Sequence, residues 1–207
     1  MARRVFRSLL AGFAALALAS SARAEDAASP SPGVGPGAHL HDGFYLRMAL
    51  GYGPLNVTES VANTSVETKL KGNGTAFELI IGGSPTPGLA IGGSLFTHAI
   101  KPKIETATGS VESTKSIFVL SLGPMVDWFP SATGGFHVGG GVGWGTLNAV
   151  NYTSTGTAFH LFTGYDFWIG NEWSLGPALR LTSSRTSKEP FEDSATSIVL
   201  MISVLDH

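Results

Sequence analysis

Several residues able to do acid–base or nucleophilic chemistry lie in segments that are otherwise apolar or glycine-rich. They are His98, His137 and His160, Ser94 and Ser121, and Glu78, Asp127 and Asp166. These types could build a hydrolytic triad, in which a serine oxygen touches a base and the base touches a carboxylate. No spacing selects one set. Asp127 and His137 flank a single short turn and are the one pair that chain order brings together. The run GGGVGWG at 139–145 has the glycine density of a phosphate loop, but such a loop opens a helix, and no helical period follows it. His39 and His41 sit two apart in a Pro/Gly-rich stretch without further ligands and are read as exposed residues, not as a metal site. The chain has no cysteine, so disulfides and thiolate metal centres are excluded. The sequence therefore indicates no catalytic, cofactor or metal site. It leaves a different question: why Asp166 and Arg180 are embedded in GYDFWIGNEWSLGPALRL (164–181), and Arg47 in FYLRMALGYG (44–53).

The elements that carry these residues alternate with a period of two, the signature of a strand whose side chains point to opposite faces. On 44–53, Phe44, Leu46, Met48, Leu50 and Tyr52 share one face, and Tyr45, Arg47, Ala49 and Gly51 the other. The same split runs through 76–82, 89–100, 116–129, 136–145, 159–169, 173–181 and 196–205, which makes eight strands. In the last, Ile198, Leu200, Ile202 and Val204 oppose Val199, Met201, Ser203 and Leu205. The connectors alternate in length. Residues 57–72, 101–114, 151–156 and 185–194 read as polar and mostly long loops. SPTPG (84–88), PSATG (130–134) and GNE (170–172) are short turns made of turn formers. Long and short connectors around an even number of strands predict an all-β, antiparallel up-and-down barrel with two unlike ends.

The N-terminus supplies an address. Arg3, Arg4 and Arg7 precede an apolar run from Leu9 to Ala19, and Ala22-Arg23-Ala24 forms an A-x-A cleavage site. Residues 1–24 are expected to be a secretory signal peptide, 25–42 a flexible Pro/Ala/Gly-rich leader, and 43–207 the barrel. Losing Arg3, Arg4, Arg7 and Arg23 with no acid takes the formal net charge from −2 to −6, which excludes a nucleic-acid partner. Only 14% of residues are charged, against about 25% in a soluble domain, while 43% are hydrophobic and 27 are Gly.

These numbers decide which face is inside. Eight strands enclose a space only wide enough for side chains to fill. The face rich in Gly, Ala and Ser is therefore the inner one, and the large apolar face points outward, which lipid alone tolerates. The isolated ionisable groups then become an interior polar network of Arg47, Glu78, Asp127, His137, His160, Asp166 and Arg180. Both arginines are expected to pair with some of the three carboxylates, because an unpaired buried charge is costly. His98 is expected to be solvated near a barrel mouth. Phe44, Trp128, Phe129, Phe136, Phe167, Trp168 and Trp173 cluster beside the short turns. Tyr52, Trp144, Tyr152 and Phe159 lie towards the long connectors. Two such girdles mark the two interfaces of a bilayer.

On the pieces GFYLRMALGYG, SLGPMVDWFP and GYDFWIGNEWSLGPALRL, residues 43–205 resemble the small bacterial outer-membrane β-barrels, such as the OmpA transmembrane domain and OmpX. That resemblance implies an outer-membrane location, contact with lipid and lipopolysaccharide, and a monomer whose long loops meet an external partner. Two features depart from the pattern. The chain ends SVLDH and not in an aromatic residue, and Pro124 and Pro177 fall inside expected strands, where bulges or early ends are expected. The leading expectation is a non-enzymatic barrel with a structural or loop-mediated interaction role. A narrow porin-like channel for water, ions or small solutes is the alternative. A lipid A-modifying enzyme and a soluble periplasmic ligand-binding barrel rank below both.

Overall fold

The computed structural model describes residues 39–207, apart from 63, 65–66, 107–108, 113–114 and 150–151. For 104–106 and 109–112 it describes the backbone alone. The expected signal peptide, 1–24, and residues 25–38 of the expected leader lie outside the described residues.

Eleven strands follow in order: β1 (Gly43–Val61), β2 (Glu67–Thr86), β3 (Leu89–Ile100), β4 (Lys103–Thr106), β5 (Gly109–Glu112), β6 (Ile117–Trp128), β7 (Phe136–Asn148), β8 (Thr153–Tyr165), β9 (Phe167–Trp168), β10 (Trp173–Lys188) and β11 (Phe191–Asp206). Eight of them are staves. β1, β2, β3, β6, β7, β8, β10 and β11 each pair antiparallel with the next, and β1 closes the ring against β11. The small β4–β5 hairpin hangs on β2 through Leu70 and Lys71. This is the expected closed, eight-stranded up-and-down barrel.

The register also sets the diameter. Passing from Leu50 through Phe77, Thr97, Leu120, Thr146, Thr155, Ser187 and Glu192, each partner in turn, the path returns to β1 at Ser60, ten residues on. With strands ~4.8 Å apart and ~3.3 Å per residue, that stagger implies a tilt of about 40° and a backbone radius of about 8 Å. Such a lumen is filled by side chains.

All four connectors expected to be loops are mostly strand: 101–114 carries the β4–β5 hairpin, β8 already begins at Thr153, and the other two lengthen the staves. β1 and β2 stay paired up to Ser60 and Glu67, and β10 and β11 up to Lys188 and Phe191, so 57–72 and 185–194 extend the wall beyond the apolar belt. Their polarity concealed the alternation. Val57, Leu70 and Ala195 point inward and are buried, while Thr58, Lys69 and Ser194 take the other face. Threonine, abundant here, favours a pleated strand.

Neither proline makes a bulge or ends its own strand. Each interrupts one ladder. β6 and β7 lack paired partners between Leu122↔Trp144 and Met125↔Gly141, yet the register is kept across Gly123 and Pro124. Opposite Pro177 the sixth stave breaks at Asp166 into β8 and β9, because proline has no N–H to offer there. The Asp166 N–H instead donates to the Gly135 carbonyl, 2.8–2.9 Å being a normal length for such a bond (here 2.9 Å).

The faces fall as the alternation requires. Leu50, Trp144, Leu200 and Ile202 are all more than half exposed, whereas Arg47, Glu78, Asp127 and Arg180 are at most 1% exposed. Inside, three apolar clusters stack along the axis. One is built around Tyr45, Phe129 and Phe162 at the short-turn end. Another surrounds Phe96, Val199 and Met201, and the third lies around Leu55, Ile117 and Leu147 at the long-connector end. Phe129, expected in the outer girdle, is buried in the first of these. The girdle that remains at that end includes Phe44, Trp128, Phe136, Phe167 and Trp173, with Tyr52, Trp144 and Phe159 at the other.

Candidate functional site

Between the first two apolar clusters lies the ion network. Alternation on β1 sends Arg47 inward between Tyr45 and Ala49. Its Nε lies 3.9 Å from Glu78 Oε1, and its Nη1 lies 3.6 Å from Asp127 Oδ2. Arg180, from β10 across the barrel, meets the other Glu78 oxygen, so one carboxylate joins two cations. Asp127 also accepts from the Tyr45 hydroxyl at 2.6 Å, and its Oδ1 lies 3.0 Å from His137 Nδ1. The second His137 nitrogen faces Asp166 Oδ2 at 3.6 Å, and Ser203 donates to Asp166 Oδ1. Both guanidiniums are stacked: Arg180 lies 4.2 Å over Phe96 and Arg47 lies 5.1 Å over Phe162. The chain of contacts thus runs Arg180, Glu78, Arg47, Asp127, His137, Asp166, from one wall to the other.

Of the seven residues singled out by sequence, six join this chain. His160 is buried but stacks on Phe162 and touches none of the acids. His98 is fully buried, contrary to the expectation of a solvated position, because β3 and its neighbour β6 continue past it to the Ile100–Ile117 pair. Tyr45, Ser203, Phe96 and Phe162 were not singled out. Their alternation placed them inward, but nothing in the sequence distinguishes a phenol that binds a carboxylate from one that fills space.

A second polar cluster occupies the long-connector end. The Tyr152 hydroxyl lies 2.8 Å from Glu59 Oε1 and 2.7 Å from Asp193 Oδ1 and donates its one proton to either, Ser154 donates to Asp193, and the Tyr152 ring stacks on Phe191. Burial, with both carboxylates beside it, pushes the Tyr152 phenol well above its usual range. Tyr152 therefore serves the mouth and not a girdle. Among the described residues no group of three or more His, Asp or Glu is arranged to hold a metal ion.

The short-turn end is closed by residues expected to be an exposed leader. His41 is fully buried, stacked at 3.7 Å on Phe129, with Nδ1 2.6 Å from His207 Nε2 and Nε2 2.8 Å from the Gly134 carbonyl. His39 stacks on Trp168. Burial lowers His41 to about 4 and His207 to about 3, with His137 also disfavouring charge on His41 and the His41 ring disfavouring charge on His207. A detached histidine titrates near 6.5. The docked segment thus binds fewer protons than the free one. Its anchoring is complete above about pH 6.5 and is lost as pH falls towards about 4. Hydrogen exchange of the His41 amide, which is bonded to the Ala132 carbonyl, should speed up relative to its intrinsic rate between pH 7 and pH 4.5. Unchanged protection would show that the histidine pair does not hold the segment.

No family model and no curated protein matches the chain. Solved structures do. Neisserial surface protein A is 12% identical over 79% of this chain and 96% of its own, with a TM-score of 0.50. The outer membrane protein AlkL, solved in lipid bilayers, is 13% identical over 87% of this chain and 95% of its own, also at 0.50. At such identities the likeness carries the fold and nothing finer. The chain has the fold of the small outer-membrane β-barrels, and its exposed apolar belt between two aromatic girdles is a surface for an outer membrane.

Proposed function

We propose that the protein is a closed, non-enzymatic outer-membrane barrel whose work is structural and interactive, done by its wall and by the strands that rise past the belt. The observation that supports this reading is the filled lumen. The arginine–carboxylate chain crosses it, apolar clusters lie on either side, and the His41–His207 pair sits at one end. A passage for ions would require that chain to part, leaving buried charges unpaired at several kcal/mol each. The same geometry argues against catalysis. Among the described residues no serine is hydrogen-bonded to a histidine, and the Asp127–His137 pair is sealed from solvent. The test is planar-bilayer recording of the full-length folded protein, together with the lipid A profile of expressing cells. Silence and an unchanged profile are expected. Reproducible conductance steps would favour the narrow channel, and remodelled lipid A would favour the enzyme.

A further inference from the structure

The outer wall carries a sloping groove of about 670 Å³ across β7, β8 and β10. Its outward-facing side chains are Pro124, Val142, Phe159, Thr157, Ser183 and Arg185, all of them exposed. The groove forms where the wall lacks bulk. Pro124 lies in the interrupted stretch of the β6–β7 ladder. Thr157 and Ser183 are small beside Trp144, the register partner of Thr157, and Leu181, two residues before Ser183.

Its slope follows from the stagger of the ring. With a tilt of about 40°, one step along a register row towards β11 climbs about 3 Å towards the long-connector end, and one residue along a strand spans about 2.5 Å of height. The rows Val142–Phe159–Ser183 and Trp144–Thr157–Arg185 rise accordingly. Measured from Trp144 in the outer girdle, Pro124 lies about 8 Å deeper in the belt and Arg185 about 6 Å further out. The chemistry changes in the same order. Pro124, Val142 and Phe159 are apolar, Ser183 and Thr157 bring hydroxyls, and Arg185 ends the series with a cation. A bilayer leaflet stacks acyl chain, polar linkage and phosphate in that order across its interface.

The cation is also unclaimed. Among the described residues Arg185 makes no ion pair and no side-chain hydrogen bond. Its register partners are Thr157 and Ser194, and its outward neighbours along β10 are Ser183 and Ser187. Glu192, the one acid among the outward residues around it, sits diagonally on β11, about 8 Å nearer the open end. Asp193 faces the lumen and is held by Tyr152 and Ser154. A guanidinium at headgroup height, with hydroxyls beside it and no carboxylate on it, suits the oxygens of a phosphate.

We infer that this groove seats one phosphorylated lipid of the outer leaflet, an acyl chain lying along Phe159, Val142 and Pro124 and the phosphate meeting Arg185. The inference rests on the membrane reading above, with the long-connector end facing outward.

The experiment uses the full-length chain folded in uncharged, phosphate-free detergent micelles and titrated with fluorescently labelled lipid A carrying its phosphates. One lipid per barrel is expected. Arg185→Gln should weaken binding about fivefold, the effect of one cation near a charged headgroup. Ser183→Leu, which fills the groove without altering charge, should weaken it as well. Lys188→Gln removes an exposed cation outside the groove and should leave binding unchanged. Wild-type affinity in Arg185→Gln or in Ser183→Leu, or an equal loss in Lys188→Gln, would overturn the site. A fivefold loss in Arg185→Gln that persists with dephosphorylated lipid A would overturn the phosphate assignment. Competition by equimolar inorganic phosphate would make Arg185 an ion site and overturn the lipid one. Each of those results leaves the barrel in the membrane. Failure of the wild type to insert into phospholipid vesicles would overturn the membrane reading itself, and this inference with it.

Discussion

Replacing Glu78 by Gln should cost about 3–5 kcal/mol of barrel stability, measured by urea unfolding of the protein folded in micelles or vesicles. Glu78 is shared by Arg47 and Arg180 and is 1% exposed. Arg47 keeps Asp127 when Glu78 is neutralised. Arg180 keeps only the Phe96 ring and a 3.3 Å hydrogen bond from its Nε to Thr182. The variant thus holds a buried guanidinium without a carboxylate. Glutamine preserves shape, so the loss reports charge and not a cavity. Removing both charges separates the two contributions further. Glu78→Gln combined with Arg180→Met should recover most of the stability, since a buried ion pair replaced by apolar groups of similar volume is often neutral. A single variant within about 1 kcal/mol of wild type would mean that the network does not brace the barrel.

Leu200→Arg should be the most damaging change on the outer face, at about 2–4 kcal/mol, although Leu200 is 64% exposed to solvent in the isolated chain. In a soluble barrel an exposed leucine changed to arginine alters stability by no more than about 0.5 kcal/mol. In hydrocarbon the guanidinium must be desolvated or drag water inward. Leu200 lies mid-belt on β11, between Ile198 and Ile202 and opposite Tyr52 on β1 and Leu179 on β10. The same substitution at Thr196, outward but above the belt, should be close to neutral. Equal tolerance at both positions would remove the membrane reading, whatever the fold.

Alternation made the barrel legible. A strand exposes its two faces in strict turn, so Arg47, Glu78, Asp127, Asp166 and Arg180, each flanked by outward-facing residues such as Met48, Phe77 and Leu179, had to share the narrow interior. Glycine on that face, large apolar residues on the other and the low charge of the whole chain then oriented the wall. The reading failed where the pattern is carried by polar residues. Around 57–72 and 185–194, Ser, Thr, Lys and Glu occupy the outer face above the lipid, and the few buried partners, such as Val57 and Ala195, are too sparse to announce a strand. It failed again at the ends. Phe129, His41 and His207 are far apart in sequence, and only closure of β1 against β11 brings the first and last residues of the barrel over one opening.

What the sequence by itself determined is the number of barrel staves, the face each side chain takes and the presence of opposite charges in the lumen, because these follow from a local period of two. The tertiary structure alone decided which charges meet. Pairing depends on the stagger of ten residues around the ring, which sets Arg47 beside Glu78 and Asp127, and Arg180 beside Glu78. It also decided that β4 takes over from β3 beside β2, and so brought Lys71 and Lys103 together. Register is a property of the closed ring and not of any one strand, and no single segment encodes it.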